Sequence, residues 1–402
     1  MKKILTISLL LGLTAQSLSS CGDQVPKKTE VPSPLPSIET TPSKQASPSP
    51  SVSPSAQPNK LVNCEHIEAG GDLSAAQKTL AADLWPWGKA AAWTFTVDEG
   101  VAEPYDLLMP ELEVFGWRAS FFIYTDQPDA NTWNRIRLAH ERGHEVSNHT
   151  LTHPDLTTLS DEKIHEELKL ANDVLKRQLG VSKLSLQSFA YPYEATDNRT
   201  WGIVKQYHRY ARSGDHGADV PPFPINDAHK PNWGELTAKA PTLAYTLQNW
   251  NSWVDATVQS GGWFIDELHG VEDSGVTGGW EPRTLDEFRS HFKYIKNHKS
   301  GVWVATMGQV GNYIEERENA KFEVKKWHQD GLEFTLEDGF DHPLDYKVPL
   351  TFKVTLPKGW SGKSIKAFQN GKALETKGTE TGSYRVAAQP DAKMPVCILP
   401  AP

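Results

Sequence analysis

The sequence lacks an excess of basic residues. Its 41 Lys and Arg stand against 50 Asp and Glu, which gives a formal net charge of −9. This balance argues against a protein that binds nucleic acid by neutralising phosphates. Apolar content is also low, because hydrophobic residues make up 38% and the mean hydropathy is −0.51, which excludes a polytopic membrane protein. The 402 residues suggest about two domains and support a large core.

The first residues are typical of an export signal. Lys2 and Lys3 precede an apolar stretch at residues 4–13 that is too short to span a membrane. Leu18-Ser-Ser-Cys21 then resembles the bacterial lipobox, in which the cysteine is diacylated and becomes the new N-terminus. The resemblance implies a signal peptide at 1–20, a membrane anchor at Cys21, and an exported lipoprotein that faces the periplasm or the cell exterior. An ordinary secretory signal with a chance cysteine is the alternative.

Residues 22–60 contain no aromatic residue and no periodic pattern, but 9 Pro and 8 Ser in 39 positions. Such a segment buries too little surface to offset the entropy of ordering it. We therefore predict a disordered linker that follows the lipidated cysteine, over residues 21–60.

Cys64 and Cys397 bracket the rest of the chain. In an oxidising compartment they could pair and join its two ends, or remain two separate thiols. The sequence leaves both possibilities open.

Two patterns divide the remainder. Over residues 61–320, buried-strand patterns alternate with helical ones, which predicts an α/β domain with a parallel, barrel-like sheet. Its clearest helix follows Ser160 as N-cap and stops at Gly180. Over residues 321–402, short strands of period two are separated by Gly, Pro and Asp, which predicts a small, sandwich-like β-domain.

Three features in the α/β domain carry chemistry. Asp98 and Glu99 follow an apolar strand, and a bound cation would relieve their repulsion; an acidic surface turn is the alternative. His149 and His153 are four positions apart and can share a metal, although this spacing also occurs by chance. His269 ends another apolar strand and could act as a general acid, or be a semi-buried histidine with satisfied hydrogen bonds.

Together, in this order and spacing, these features resemble the polysaccharide deacetylase family, the fourth family of carbohydrate esterases. The similarity covers about residues 90–310. Its most recognisable stretch is Gly143-His-Glu-Val-Ser-Asn-His149-Thr-Leu-Thr-His153, and Phe189-Ala-Tyr-Pro-Tyr193 resembles the family's third motif. The resemblance implies a deformed (β/α) barrel and a metal-dependent hydrolase that removes acetyl groups from a polysaccharide or oligosaccharide. N-acetyl groups are favoured over O-acetyl groups.

The resemblance also implies a role for single residues. Asp98 would take a proton from a metal-bound water that attacks the acetyl carbonyl. The backbone N–H of Tyr193 would help to bind the oxyanion. His269 would then protonate the departing amine or alcohol.

The implied metal ligands are His149, His153 and the acidic residue at position 99. The metal would be zinc, with cobalt, nickel or manganese as alternatives. Glu99 departs from the family pattern, which usually has Asp at this position. A longer side chain could still bind the metal, or could move it and weaken its binding.

Two other positions depart from the pattern. Ala190 occupies the place where many members carry an arginine that orients the base, and we expect Arg212 to supply that cation from a neighbouring strand. An arginine in a surface loop is the alternative. Glu267 stands two positions before His269, where the family usually has an apolar residue, so the acetyl pocket is expected to differ.

Several tryptophans are candidates for stacking on sugar rings. Trp233 and Trp280 lie in Pro- and Gly-rich loops and are the better ones, whereas Trp250 and Trp253 are three apart in a predicted helix and are expected in the core. The expected partners are an acetylated polysaccharide or oligosaccharide and a membrane, but no nucleic acid. The alternative function is a catalytically weakened, glycan-binding pseudoenzyme of the cell envelope.

Overall fold

The computed structural model describes residues 64–182, 186–214, 225–339, 348–356, 358–360, 362–379, 382–391 and 393–401. The predicted signal peptide at 1–20, the lipidation site at Cys21 and the linker at 21–60 lie outside the described residues. The described residues fall within one compact unit, Asn59–Pro402. Among them, no helix combines the length and the apolar character needed to cross a membrane.

Strands and helices alternate along the first part of this unit, as the sequence pattern predicts. In chain order, the elements are α1 (Leu73–Gln77), β1 (Leu80–Ala82), β2 (Ala91–Val97), α2 (Met109–Val114), β3 (Ser120–Ile123), α3 (Ala130–Glu141), β4 (Glu145–Asn148), α4 (Asp161–Leu179), β5 (Ser188–Ala190), α5 (Asn198–Val204), β6 (Tyr210–Arg212), α6 (Leu247–Ser260), β7 (Trp263–Leu268), β8 (Val271–Asp273), β9 (Val276–Gly278), β10 (Arg283–Thr284), α7 (Leu285–Asn297), β11 (Val302–Val304) and α8 (Met307–Asn319).

Seven of these strands form a parallel sheet. Strands β11, β2, β3, β4, β5 and β6 lie in that order, and β7 pairs with β2. All their pairings are parallel. Parallel bridges from Arg212 to Leu236 and from Lys239 to Asp266 connect β6 to β7 through residues 236–239. The strands therefore close into a ring, which confirms the predicted deformed (β/α) barrel.

Capping residues set the ends of the barrel helices. The Ser160 side chain accepts a hydrogen bond from the N–H of Lys163 at the start of α4. Gly180 ends the same helix with a φ of 69°, a conformation that glycine adopts without strain. Both caps are the ones that the sequence predicts. The buried face of α4 consists of Ile164, Leu168, Ala171, Asn172 and Leu175.

The predicted all-β region follows the barrel. Its strands are β12 (Lys321–His328), β13 (Gly331–Glu337), β14 (Leu350–Thr355), β15 (Ser364–Gln369), β16 (Lys372–Ala373), β17 (Thr376–Gly378), β18 (Ser383–Ala388) and β19 (Val396–Ala401). They form two antiparallel sheets, with orders β1-β14-β18-β17 and β12-β13-β19-β15-β16. Strand β1 precedes the barrel in the chain but pairs with β14 of the all-β region. A strand of three residues is too short for the sequence to predict this pairing. The domain boundaries stay a prediction.

Cys64 and Cys397 form a disulfide in the structure. Both side chains are buried, and they pack with Ile67. Of the two possibilities left open by the sequence, the structure therefore has the paired one. The bond joins residues 333 positions apart and connects the start of the described chain to strand β19.

Candidate active site

The predicted catalytic residues meet at the carboxyl ends of the barrel strands. Asp98 follows β2, His149 follows β4, Arg212 ends β6 and His269 follows β7. Because all strands of a parallel barrel end at the same rim, side chains that follow different strands converge there. The barrel topology thus brings together residues that are far apart in the sequence.

The two predicted metal-binding histidines face each other, with their Nε2 atoms 3.1 Å apart. Nδ1 of His149 lies 2.8 Å from the carbonyl oxygen of Ala190. Nδ1 therefore carries the proton that it donates, and Nε2 keeps its lone pair. Burial lowers the pKa of His149 well below its ordinary value, and burial also lowers the pKa of His153. Both rings are held in the neutral form, which is the form that binds metals.

Asp98 lies between these histidines and the rest of the site. It is 1% exposed, and its Oδ2 accepts a hydrogen bond from Nη2 of Arg212. The same oxygen is 3.9 Å from Nε2 of His149 and 3.9 Å from Nε2 of His269. Its Oδ1 is buried without a hydrogen-bond partner among the described residues. Since an unpartnered buried oxygen is costly, Oδ1 is suited to bind a water, a cation or a substrate group.

Arg212 is fully buried and holds two carboxylates. Besides Asp98, it contacts Glu267, whose Oε2 is 2.9 Å from Nη1. Burial by itself would lower the pKa of Arg212, but Asp98 and Glu267 raise it above its ordinary value. Arg212 therefore stays a cation beside Asp98, at the place where the sequence analysis expects one in the absence of an arginine at position 190.

Glu267 is a site residue whose contacts the sequence analysis missed. It is buried, and its Oε1 is 3.9 Å from Nε2 of His269. Successive residues of a strand point to opposite faces, so Glu267 and His269 share one side of the chain. This alternation is the signal that could have placed Glu267 in the site, although it does not show the pairing with Arg212. The position that would be apolar in the family pattern carries a second carboxylate instead.

Asp266 points away from the site. It is fully buried, and its carboxylate accepts hydrogen bonds of 2.9 Å from Nε1 of Trp93 and Nε1 of Trp250. Trp250 and Trp253 are 0% and 1% exposed, so both belong to the core, as the helical spacing predicts. Burial raises the pKa of Asp266.

Strained backbone is concentrated in the loops around the site. Five of its residues other than glycine have a positive φ: Glu99 (75°), Thr150 (72°), His153 (63°), Tyr193 (56°) and Glu194 (59°). Such conformations cost free energy and persist where the surrounding structure holds them, often at functional sites. Their clustering at one rim sets this rim apart from the rest of the barrel.

Glu167 holds the loop that carries both histidines. From helix α4, its Oε2 accepts hydrogen bonds of 2.9 Å from the backbone N–H groups of Leu151 and Thr152. Its Oε1 accepts a 2.8 Å hydrogen bond from the Thr152 hydroxyl. The sequence offers no signal for this role, because Glu167 stands among other charged residues of the same helix.

The histidine pair fits a divalent cation. At ordinary Zn–N distances, two nitrogens on one tetrahedral zinc ion lie about 3.3 Å apart. The two Nε2 atoms are 3.1 Å apart, and the unpartnered Oδ1 belongs to Asp98 beside them. Glu99 is near enough for its charge to oppose the lowering of the His153 pKa.

A second group of donor atoms stands beside the pair. Asp98, Glu267 and His269 each place one potential ligand atom within 4.8 Å of the others. The two carboxylates of this group already contact the Arg212 cation. The histidine pair, with Glu99 as the predicted third ligand, is therefore the better place for a metal.

Two exposed aromatic side chains flank the site. Trp280 is 53% exposed, and its ring centroid is 5.1 Å from that of His269. Tyr193 is 69% exposed, and its ring centroid is 4.7 Å from that of His153. Both can contact a substrate that lies across the rim.

Trp233, the other tryptophan predicted to stack on sugar rings, does not flank the site. Its ring packs on Tyr210, 4.7 Å between centroids, against the hydrophobic core. Its carbonyl accepts a 2.8 Å hydrogen bond from the N–H of Ala211, which holds the loop beside strand β6. Tyr210 is the first residue of β6, at the end opposite to the site. The structure therefore brings Trp280 to the site but not Trp233.

Residues 88–211 match the family model described as polysaccharide deacetylase. A gellan lyase from Bacillus sp is 27% identical over 72% of this chain and 12% of its own length. Chitin deacetylase 1 from Cryptococcus neoformans var. grubii is 31% identical over 28% of this chain and 23% of its own length. The chain thus spans less than a quarter of either relative.

Among solved structures, a family 4 acetyl xylan esterase from Clostridium thermocellum in complex with a cobalt ion is similar, with 16% identity and a TM-score of 0.38. The match covers 55% of this chain and 90% of that one. The residues that match the family model include Asp98, both histidines of the facing pair and Tyr193. Residues 88–211 are thus the part of the chain that is similar to polysaccharide deacetylases.

Proposed function

We propose that the chain is a metal-dependent hydrolase that removes acetyl groups from a polysaccharide or oligosaccharide. The observation that carries this proposal is the position of the buried Asp98 carboxylate. Its Oδ2 lies 3.9 Å from Nε2 of His149 and from Nε2 of His269, and it accepts a hydrogen bond from Arg212. The proposal is supported by this arrangement, because a carboxylate, the imidazole of His269 and two neutral imidazoles lie around one small volume. The relative that is named a chitin deacetylase supports N-acetyl over O-acetyl groups as the target.

The chain's own residues supply the proton transfers. Asp98 accepts a proton from the water that attacks the acetyl carbonyl, and Arg212 keeps its carboxylate oriented. His269, on the other side of Asp98, gives a proton to the departing amine or alcohol. The backbone N–H of Tyr193, in the strained turn next to His153, helps to bind the oxyanion.

His149 and His153, with Glu99 as the third ligand, would hold the metal, for which we propose zinc. When bound, a divalent cation acts as a Lewis acid that polarises the acetyl carbonyl. The carbonyl of Ala190 fixes the tautomer of His149 and leaves the lone pair of its Nε2 available, 3.1 Å from Nε2 of His153.

We further propose that the protein is exported and anchored to a membrane through a lipid on Cys21, facing the periplasm or the cell exterior. The residues before Cys21 support this proposal, and so does the disulfide between Cys64 and Cys397, a bond that persists in oxidising compartments. Labelling with a radioactive fatty acid should mark the wild type and not a Cys21→Ser variant. Equal labelling of both would refute the anchor.

Acetate release tests the proposed activity. Purified protein is incubated with acetylated chitooligosaccharides or with acetylated xylan, with added zinc or cobalt and, separately, with a chelator. We expect chelator-sensitive release that is faster from the chitooligosaccharides. Faster release from xylan would make the enzyme an esterase. No release from either substrate by folded, metal-loaded protein would favour a glycan-binding protein without catalysis.

A further inference from the structure

We infer that a cleft at the opposite rim of the barrel binds an acidic saccharide, that is, one that carries carboxylate groups. The cleft has a volume of about 480 Å³. Its barrel wall includes Lys89, Trp117 and Trp303, which lie near the amino ends of strands β2, β3 and β11. The proposed catalytic residues lie at the carboxyl ends. The cleft is thus a separate site, and its binding can be measured without turnover.

The second wall comes from the all-β region. Pro349 and Thr351 of strand β14 line it, together with Glu375 and with Ala387 of strand β18. A volume of this size lies in the range of ordinary ligand sites, which extends from about 300 to 1,000 Å³. A site between two packed parts of one unit is also a usual location for a ligand.

Two lysines, Lys89 and Lys296, line the cleft, and a third, Lys377, stands beside it over the Trp87 ring. Lys89 follows the turn before β2, Lys296 lies in helix α7, and Lys377 lies in strand β17. Burial lowers the pKa of Lys89, and the charges of Lys296 and Lys377 lower it further, so the three ammonium groups act on one another. Glu375 is 2.9 Å from Lys377, which leaves the group with an excess of positive charge.

The charges at Lys89 and Lys296 have no neutralising partner among the described residues. Neither lysine forms an ion pair with a carboxylate in the parts of the chain that the structure describes. Convergent like charges repel one another unless an anion binds between them. An anionic ligand would therefore relieve a repulsion that the fold builds in.

Two half-buried indoles give the cleft flat apolar surfaces. The backbone N–H of Trp87 donates a 2.9 Å hydrogen bond to the Thr351 hydroxyl. Nζ of Lys377 lies 3.9 Å from the centroid of the Trp87 ring, so one face of this indole already carries a cation. The Trp303 ring packs on Trp85 and Tyr313, against the hydrophobic core. An aromatic face suits the C–H surface of a sugar ring. Lysine ammonium groups beside such a face select a sugar that carries a negative charge, whereas a small inorganic anion would leave the Trp303 indole uncovered.

Titration calorimetry with short oligogalacturonides tests this inference. The wild type should bind them, should bind cello-oligosaccharides of equal length much more weakly, and should lose affinity as salt is added. A Lys89→Ala/Lys296→Ala variant should bind the acidic oligomers roughly tenfold more weakly, because two exposed charges are removed. Lys293→Ala/Lys299→Ala is the matched control, since it removes two lysines from another part of the surface and should leave the affinity unchanged.

Three results would overturn the inference. They are no binding of oligogalacturonides by folded wild-type protein, equal binding by the Lys89→Ala/Lys296→Ala variant, and equal affinity for the neutral oligomers. Acetate release from a short soluble substrate should stay the same in both double variants. A failure of the proposed catalysis is therefore seen in a different experiment from a failure of this binding site.

Discussion

Arg212 donates a hydrogen bond to Asp98 although 114 positions separate the two residues in the sequence. Both side chains are buried, and the barrel brings them together because β2 and β6 end at the same rim. In such a pair, removal of one partner leaves a buried charge uncompensated, which typically costs about 3–5 kcal/mol. The orientation of the proposed base therefore depends on a residue outside the motif that contains it.

Arg212→Ala should lower the rate of acetate release by about a hundredfold or more, because Asp98 loses the cation that orients it. Arg199→Ala is the control, since Arg199 also contacts an aspartate, Asp161, but at the surface. If Arg212→Ala does not fold, Arg212→Lys keeps the charge and should retain part of the activity, because one ammonium cannot hold two carboxylates as a guanidinium does. Full activity in either folded Arg212 variant would contradict the role.

Glu167→Gln should weaken zinc binding and acetate release by about tenfold, while the free energy of unfolding changes little. Zinc binding should weaken because the Glu167 carboxylate accepts hydrogen bonds from two N–H groups and a hydroxyl of the loop that carries both histidines, whereas a glutamine amide has only one accepting oxygen. Glu166→Gln is the control on the same helix, with an exposed carboxylate paired to Lys163. Equal zinc affinity in both variants would show that the loop does not depend on Glu167.

Removal of either facing histidine should abolish tight zinc binding. We expect about one zinc ion per chain in the wild type and much less in His149→Ala and His153→Ala, as measured by equilibrium dialysis and atomic emission. Glu99→Gln should weaken zinc binding by at least about tenfold if Glu99 is the third ligand. Unchanged binding in Glu99→Gln would move that role to another carboxylate, of which Asp98 is the nearest to the pair.

The stability of the fold should fall as His144 is forced to accept a proton. Its Nδ1 accepts a 3.1 Å hydrogen bond from the N–H of Ala119, and burial lowers its pKa from 6.5 to about 4. The unfolded chain takes up this proton near pH 6.5. The contribution of neutral His144 to the free energy of unfolding is therefore present above pH 6.5 and is lost as the pH falls to about 4. The loss is on the order of 3 kcal/mol.

His144→Gln keeps an acceptor but does not titrate. Its free energy of unfolding should therefore fall less than that of the wild type between pH 6.5 and 4. His229→Gln is the control for the loss of a surface histidine, because the His229 side chain is 61% exposed. Identical pH dependence in the wild type and His144→Gln, measured by denaturant unfolding, would contradict this account.

The parts of the fold that the sequence predicts are those with a repeating local pattern. The alternation of strands and helices indicates the barrel, and the two-residue period after position 320 indicates the all-β region. Helix α4 is recognised because Ser160 and Gly180 stand at its ends. Strand β1 could not be recognised, because it is too short to show a period. Its partner β14 also lies about 270 positions away in the sequence.

The same distinction holds within the site. Asp98, His149 and His153 lie next to strand ends in short motifs, so their convergence follows from a parallel barrel. The contact between Glu267 and Arg212 depends on how two distant strands are placed around the ring, which a single sequence does not show. The structure packs Trp233 on Tyr210, away from the site, and the composition of its loop does not reveal at which rim the loop lies.

In the mechanism that we propose, Asp98 is the base of a metal-dependent deacetylation. Its most direct test compares acetate release from N-acetylated chitooligosaccharides by the wild type and by Asp98→Asn, both loaded with zinc to the same content. We expect release by the wild type and a loss of at least about a hundredfold in Asp98→Asn, because an amide cannot accept the proton. An Asp98→Asn rate equal to that of the wild type would contradict it.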